Sequence, residues 1–276
     1  MPIERPFQSV ASLVAAIPDG ASLALPKDES GAPCEAVREI VRQRRQGLRL
    51  LCVPACGFHA DLLIGAGCVA EIEFGGIVVG ELGIGQRFQA AVRAGTLRLK
   101  DSSCPALHAA LQAGAKGSPF AAVRGFMGSD LLKIRTDWRV VNNPFAEGDD
   151  PVLLVPALNP DVFMFHARWV DRYGNVWTGG RRDLAYTAHA SRRCFVTAEE
   201  IWEGNLLADP MMAPGTLSEA YVSGFAHVPR GSWPMTLQYV HAEDAVHLRA
   251  YLARARTDEG FAQYLDEFVF GGELAA

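Results

Sequence analysis

Lysine is scarce in this 276-residue chain: only Lys27, Lys100, Lys116 and Lys133 occur, so nearly every positive charge is a guanidinium. Guanidinium groups favour bidentate contacts to carboxylates or phosphates, although coding bias produces the same enrichment. Positive charge is short overall. The 26 basic residues stand against 31 acidic ones, a formal charge of −5, and duplex binding depends on neutralising phosphates with Lys and Arg. Nucleic acid is therefore not an expected partner. No stretch approaches the roughly 18 uncharged apolar residues of a membrane span. The segment Met1 to Ala16 carries Glu4 and Pro6 without a basic run followed by a long apolar one, so no secretory signal is expected. Hydrolase elbows of the G-x-S-x-G type, Walker A loops and H-E-x-x-H helices are missing too. Six cysteines allow three bridges, but a chain of this length does not need staples. Cys52, Cys56 and Cys68 fall in or beside apolar runs, where a reduced cysteine acts as a small hydrophobe. A reducing cytoplasm is the expected compartment.

The composition that is present, 49% hydrophobic and 21% charged, is that of an ordinary globular protein. No repeat and no clear linker divides it, so a single domain over residues 1–276 is expected. Strand-like segments at Ser22–Leu25, Leu48–Pro54, Val69–Val79 and Thr96–Leu99 alternate with helical periodicity around Val10–Ile17, Val37–Val41, His59–Ala66, Gln86–Arg93 and Ala106–Ala113. That alternation predicts an α/β fold with an open, mainly parallel sheet flanked by helices. Gly47 is the expected stop of the second helix. Farther on, Val152–Val155 and Asp161–Val170 read as strands, the latter returning through the turn Asp171 to Asn175 into Val176–Thr178 as an added antiparallel hairpin. Arg181–Ala190 reads as a helix and Arg193–Thr197 as a strand. Prolines and turn signals make Trp202–Pro234 a long ordered loop, and the apolar spacing after Val246 suits two short helices.

Five local patterns bear on chemistry. Cys52-x3-Cys56-x2-His59 offers thiol and imidazole ligands, but no second pair follows at a recognised zinc spacing, so no metal is expected. Gly75-Gly76, followed by Gly80, Gly83 and Gly85, lets the backbone approach a ligand closely at a strand end, or merely serves turns. The order does not fit a dinucleotide fingerprint. Asp101-Ser102-Ser103-Cys104-Pro105 stands where a strand hands over to a helix, a place for ligand donors and equally for a helix cap. Cys104 with His108 one turn later is a candidate thiol and base. Pro119 to Asp130, with Arg124, Gly125, Phe126 and Gly128, reads as an active-site loop or as a packed connection. Glu199-Glu200 reads as a solvated helix start.

The order of these pieces resembles the A (alpha) chains of family I CoA-transferases, especially the glutaconate CoA-transferase group. The resemblance is carried by Val37–Arg42, Leu48–Gly57, Asp61–Gly67 with Val69 and Phe74-Gly75, Phe88–Gly95 and Gln112–Gly117 with Pro119-Phe120. It continues through Gly128-Ser129-Asp130, Asp171 with Gly174-Asn175, Cys194–Ile201 and Tyr264–Phe268. It spans nearly the whole chain, its weight lying in the number and order of the motifs. It implies a CoA-transferase-type fold and a bacterial, heteromeric enzyme that moves CoA between carboxylic acids, with coenzyme A as a substrate and no further cofactor. The resemblance also implies that the attacking glutamate, which passes through an anhydride to a glutamyl-CoA thioester, sits on a homologous B subunit. This chain then supplies no catalytic nucleophile of its own. Gly75, Gly76, Ser102, Ser103, Cys104, Arg124 and Gly125 are the expected substrate-binding positions. Two departures stand out: Pro26-Lys-Asp-Glu-Ser-Gly31 replaces a glycine-rich loop, and no glutamate stands at Ser103-Cys104, where ring-opening hydrolases of the group look to carry one, although Asp101 is adjacent. The alternative readings are a CoA-ester hydrolase subunit or a non-catalytic scaffold.

Overall fold

The computed structural model describes residues 3–271, so the leader reading at Met1 begins outside it. In chain order the elements are α1 (Val10–Ala15), β1 (Ser22–Pro26), α2 (Cys34–Arg42), β2 (Leu48–Val53), β3 (Ala55–Cys56), α3 (Phe58–Gly65), β4 (Val69–Phe74), β5 (Gly76–Ile77), α4 (Gln86–Ala94), β6 (Arg98–Asp101) and α5 (Cys104–Ala115). There follow β7 (Phe120–Val123), α6 (Leu131–Ile134), β8 (Arg139–Asn142), β9 (Pro151–Pro156), β10 (Val162–Asp171), β11 (Val176–Trp177), α7 (Arg182–Ala190), β12 (Arg193–Trp202), β13 (Thr216–Leu217), β14 (Gly224–His227), α8 (Ala245–Arg254) and α9 (Asp258–Leu265).

The main sheet is parallel along β6-β4-β2-β1-β10-β12-β14. On one flank of β10, β12 pairs along the strand from Val162 to Asp171. The other flank is divided: β1 meets only Val162 and Phe163, and the antiparallel β11 takes Trp169 and Val170. The predicted hairpin is therefore real, and it fills the flank that β1 leaves when it ends. Alternate residues serve opposite faces. Leu23, Leu25, Leu50, Cys52 and Ile72 pack under α1, α2, α3, α8 and α9, whereas Ala24, Leu51, Val53, Phe163 and Phe165 pack under α5 and α7. Each fully buried Leu or Phe contributes about 1.5–3 kcal/mol. Strands buried on both faces read as continuous apolar runs, which is why β1, β2 and β10 were legible.

Several expectations need correction. The helix read up to Gly47 ends at Arg42, with Arg44 and Gly47 both in left-handed backbone beyond it. The strand read across Val69–Val79 breaks at Gly75. The strand read at Thr96–Leu99 lies at Arg98–Asp101, which places Asp101 inside it, and the next helix begins at Cys104 rather than Ala106 because Ser103 caps it. Phe120–Val123 is not loop but β7, one of three antiparallel strands in the order β7-β9-β8. Its two central alanines carry no strand signal; pairing with β9 imposes the conformation. Trp202–Pro234 contains β13 and β14, and Glu199-Glu200 lies within β12 instead of starting a helix. The small sheet packs Leu153, Val155 and Trp138 onto Ala106 and Ala110, so α5 is clamped between two sheets. Among the described residues, no helix is long and apolar enough to cross a membrane.

Candidate active site at the strand tips

In an open parallel sheet, ligands bind outside the carboxyl ends of the strands. Here the tips of β4 and β6 come together. Gly75 N–H donates to Pro54 O at 2.8 Å, and Ser102 N–H donates to Phe74 O at 3.0 Å. Ser103 caps α5, its Oγ accepting from Ala106 N–H at 3.4 Å. Cys104, first in the helix, has an amide with no carbonyl four residues behind it, an orphan donor at the positive end of the helix dipole. A Cβ built on Gly75 would stand 3.2 Å from both the Cys104 amide nitrogen and its sulfur, and 3.1 Å from Pro54 O. Glycine at 75 thus keeps this donor uncovered. A Cβ on Gly76 would meet only Ala55, at 3.8 Å.

Of the predicted site residues, Gly75, Ser103 and Cys104 form this rim, and Gly76 continues it into β5. Ser102 turns toward a cavity of about 140 Å³, lined also by Glu73, Lys100, Arg135 and Asp137. Its charges are matched: Arg135 donates to Glu73 at 2.8 Å and to Asp137 at 2.9 Å, and Lys100 lies 3.0 Å from Glu73. The Arg135 guanidinium holds the Asp137 carboxyl well below the usual carboxylate range, against a smaller opposing effect of burial. Arg124 is exposed and forked onto Asp150 in the small sheet, so its charge is engaged there. Gly125, at φ +105°, turns the chain away from β7. Among the described residues, no hydrogen bond or ion pair joins Arg124 to the Gly75 rim.

The thiol and base pairing of Cys104 with His108 is not formed. His108 Nδ1 is instead hydrogen-bonded to the Tyr186 hydroxyl of α7, and burial lowers its pKa. All six cysteines are free, five buried and Cys104 exposed. A thiol reagent is accordingly expected to titrate one of the six in the native chain, and none in Cys104→Ser; rapid reaction of two or more would contradict this burial.

Between β1 and β3 lies a buried pair that the sequence concealed. The charged loop after Pro26 turns Asp28 inward, where Oδ1 accepts from Gly57 N–H at 2.9 Å and lies 3.0 Å from His59 Nδ1. His59 Nε2 is 2.9 Å from Pro26 O, which only accepts, so that nitrogen carries a proton, while Nδ1 lies beside the carboxylate without a hydrogen bond of normal geometry. Burial opposes charge on the imidazole, but the Cys56 sulfur and the Asp28 carboxylate beside it raise its pKa to about 10. His59 therefore faces a carboxylate and a carbonyl, and Cys56 donates to Leu25 O or Pro26 O. Among the described residues, no group of three or more His, Cys, Asp or Glu is placed to hold a metal ion. A Cβ on Gly31 would overlap His166 O, so glycine there lets the loop dock on β10. In β12, Glu199 accepts from Arg230 N–H at 2.9 Å and meets His166 Nε2 at 3.1 Å.

Comparison with known proteins gives a consistent picture. A family model described as Coenzyme A transferase matches residues 7–223. The chain is 34% identical over 263 residues to the A chain of 3-oxoadipate CoA-transferase from Pseudomonas knackmussii, covering 92% of this chain and 89% of that protein. It is 26% identical to the IpdA chain of the cholesterol ring-cleaving hydrolase of Rhodococcus jostii, covering 87% and 83%. Among solved structures, glutaconate coenzyme A-transferase from Acidaminococcus fermentans superposes with a TM-score of 0.89 at 25% identity, covering 98% of this chain and 90% of that one.

Proposed function

Since this chain belongs to the coenzyme A transferase family and matches the A-type component of such enzymes, we propose that it works with a homologous B-type partner that carries the attacking glutamate. The observation behind this reading is a rim with an open donor and, among the described residues, no available glutamate. Glu73, the glutamate of β4 one residue from its tip, is nearly buried and held by both Arg135 and Lys100. A carboxylate so neutralised is a poor nucleophile.

In the proposed reaction, a carboxylate oxygen of the partner attacks the thioester carbonyl carbon, the C–S bond breaks, and CoA leaves as thiolate. The thiolate then attacks the enzyme's glutamyl carbonyl of the mixed anhydride, releasing the first acid as carboxylate and forming glutamyl-CoA. A second carboxylate runs the same steps in reverse. Each half-reaction exchanges one thioester for another, so both are close to balanced. This chain's part is to place the uncovered Cys104 amide, kept accessible by Gly75, where negative charge develops on the thioester oxygen, a kind of stabilisation that exceeds about 2 kcal/mol per donor in dry sites.

The test is to co-express the chain with its B-type partner, incubate the complex with an acyl-CoA, and treat it with borohydride. Reduction of a partner glutamate, with CoA appearing on a second acid, is the expected result. Free CoA released without an acceptor acid would favour the hydrolase reading, which Asp101 at the end of β6 and the likeness to the IpdA chain support. Absence of both outcomes would leave a non-catalytic scaffold.

A further inference from the structure

Past Gly76 the chain makes a tight hairpin. Val79 N–H donates to Gly83 O at 2.9 Å and Gly85 N–H donates to Ile77 O at 3.4 Å, so Val78 and Ile84 stand directly opposite each other. A pair flanked by such bonds without sharing one brings its two side chains close together on one face. Ile77 and Val79 are buried, whereas Val78 and Ile84 are 45% and 47% exposed. Both faces of the hairpin are thus apolar, where a half-solvated strand ordinarily alternates apolar with polar. Val78 N–H also donates to Cys56 O at 3.1 Å, which fixes the exposed pair beside β3.

A second hairpin adjoins the first. Leu237 and His241 exchange backbone hydrogen bonds of 3.0 and 3.1 Å across a turn that holds Tyr239 at φ +66° and leaves it 73% exposed. Left-handed backbone strains an aromatic residue, and a ring turned to solvent returns little packing within its own chain. Gln238 borders Ser30 and Gly31 of the loop after β1, and Glu243 Oε2 lies 3.7 Å from where a Cβ on Gly80 would stand. Both hairpins therefore sit at the carboxyl ends of the strands, as does the Gly75 rim.

The occupant follows from what the rim lacks. A nucleophile must come within bonding distance of a carbonyl held at the Cys104 amide, and at about 3.3 Å per residue Val78 is no more than about 10 Å along the chain from Gly75. A second protein that reaches the rim covers this pair. We propose that Val78, Ile84 and Tyr239 form the docking ridge for the B-type partner, received in an apolar groove of that chain with Tyr239 as the anchor, a role for which tyrosine is favoured. This rests on the two-chain reading for the identity of the partner.

The test dilutes the co-purified complex and reads its dissociation constant by mass photometry. Tyr239→Gly is expected to weaken the complex at least about 30-fold. The Tm of the full chain should stay level or rise, because glycine accepts positive φ without strain; a tyrosine of purely structural use would lower it. Val78→Thr with Ile84→Thr, which keeps both side chains β-branched, should weaken the complex at least about tenfold. Nitration by tetranitromethane with peptide mapping gives a second readout. Tyr239 is expected to react at least about fivefold more slowly in the complex than in the free chain, because the centre of an interface excludes solvent. Tyr221 is the internal control, expected to react alike in both: it packs on His189 in the last turn of α7, which leads into the start of β12 at the opposite end of the sheet. Dissociation constants within about twofold of the parent for these variants would overturn the ridge, since such residues would be energetically neutral contacts. Loss of a homodimer with B-type binding intact would also overturn it, assigning the ridge to a second copy of this chain. A parent chain that binds no B-type chain overturns both ridge and two-chain reading. CoA transfer by a complex in which Tyr239 stays reactive removes the ridge and keeps the transferase reading; protection of Tyr239 without any transfer does the reverse.

Discussion

Gly75→Val is expected to lower CoA transfer by the assembled enzyme about 100-fold, the size of loss that follows when a reacting group is displaced by about 1 Å. A Cβ at this position already crowds the Cys104 amide and sulfur at 3.2 Å, and two further methyls would lie over the opening to that donor. The loss should appear in kcat more than in KM, because the amide is needed most as charge develops. Gly76→Ala supplies the contrast: with nothing nearer than 3.8 Å, it should retain close to full turnover. Steady-state assays decide the matter, with gel filtration showing that both variants still bind the B-type partner. Full activity in Gly75→Val would remove the rim from the mechanism.

Asp28→Asn should be the most damaging substitution for stability outside the apolar core. It strips the carboxylate from a fully buried imidazolium, and breaking such a pair costs about 3–5 kcal/mol. For a chain of this size, that is a fall in Tm of about 10 °C. The pH dependence has a definite sign. His59 has its pKa raised to about 10 in the folded state, from an ordinary 6.5, so its contribution is full below pH 6.5 and fades as pH rises through about 10. Thermal unfolding between pH 6 and pH 10.5 should show this alkaline decline in the parent chain and a flatter curve in Asp28→Asn. The double change Asp28→Leu with His59→Leu should recover part of the loss, because no buried charge is left unpaired, and the part not recovered reflects Gly57 N–H and Pro26 O losing their side-chain partners. Equal Tm values for the parent and Asp28→Asn would mean that the pair carries no weight.

What the sequence revealed follows from which interactions are local. The Ser103 cap reaches only three residues, and the apolar runs of β1 and β10 report burial on both faces, so both could be read directly. The Asp28 and His59 pair joins residues 31 apart, and an isolated aspartate in a charged loop looks like any solvated turn residue. Arg124 shows how a local pattern leaves the partner unread: its glycine neighbours resemble a ligand loop, and its side chain is engaged by Asp150, 26 residues farther on. The resemblance to the A chains of CoA-transferases indicates the main parallel sheet and its flanking helices, because it draws on many segments together, but not the small antiparallel sheet.

The division of β10's flank has a consequence for ligand reach. Phe163 lies level with Ala24, and Pro26 closes β1 two residues later. At about 3.3 Å per residue, Arg168 stands roughly 10 Å above that ending. The sheet therefore rises in a terrace, with the Gly75 rim on the lower step and the β10 and β11 overhang forming the upper. Adding or removing residue pairs in the β10 and β11 overhang would change the height of this step while the lower floor stays intact.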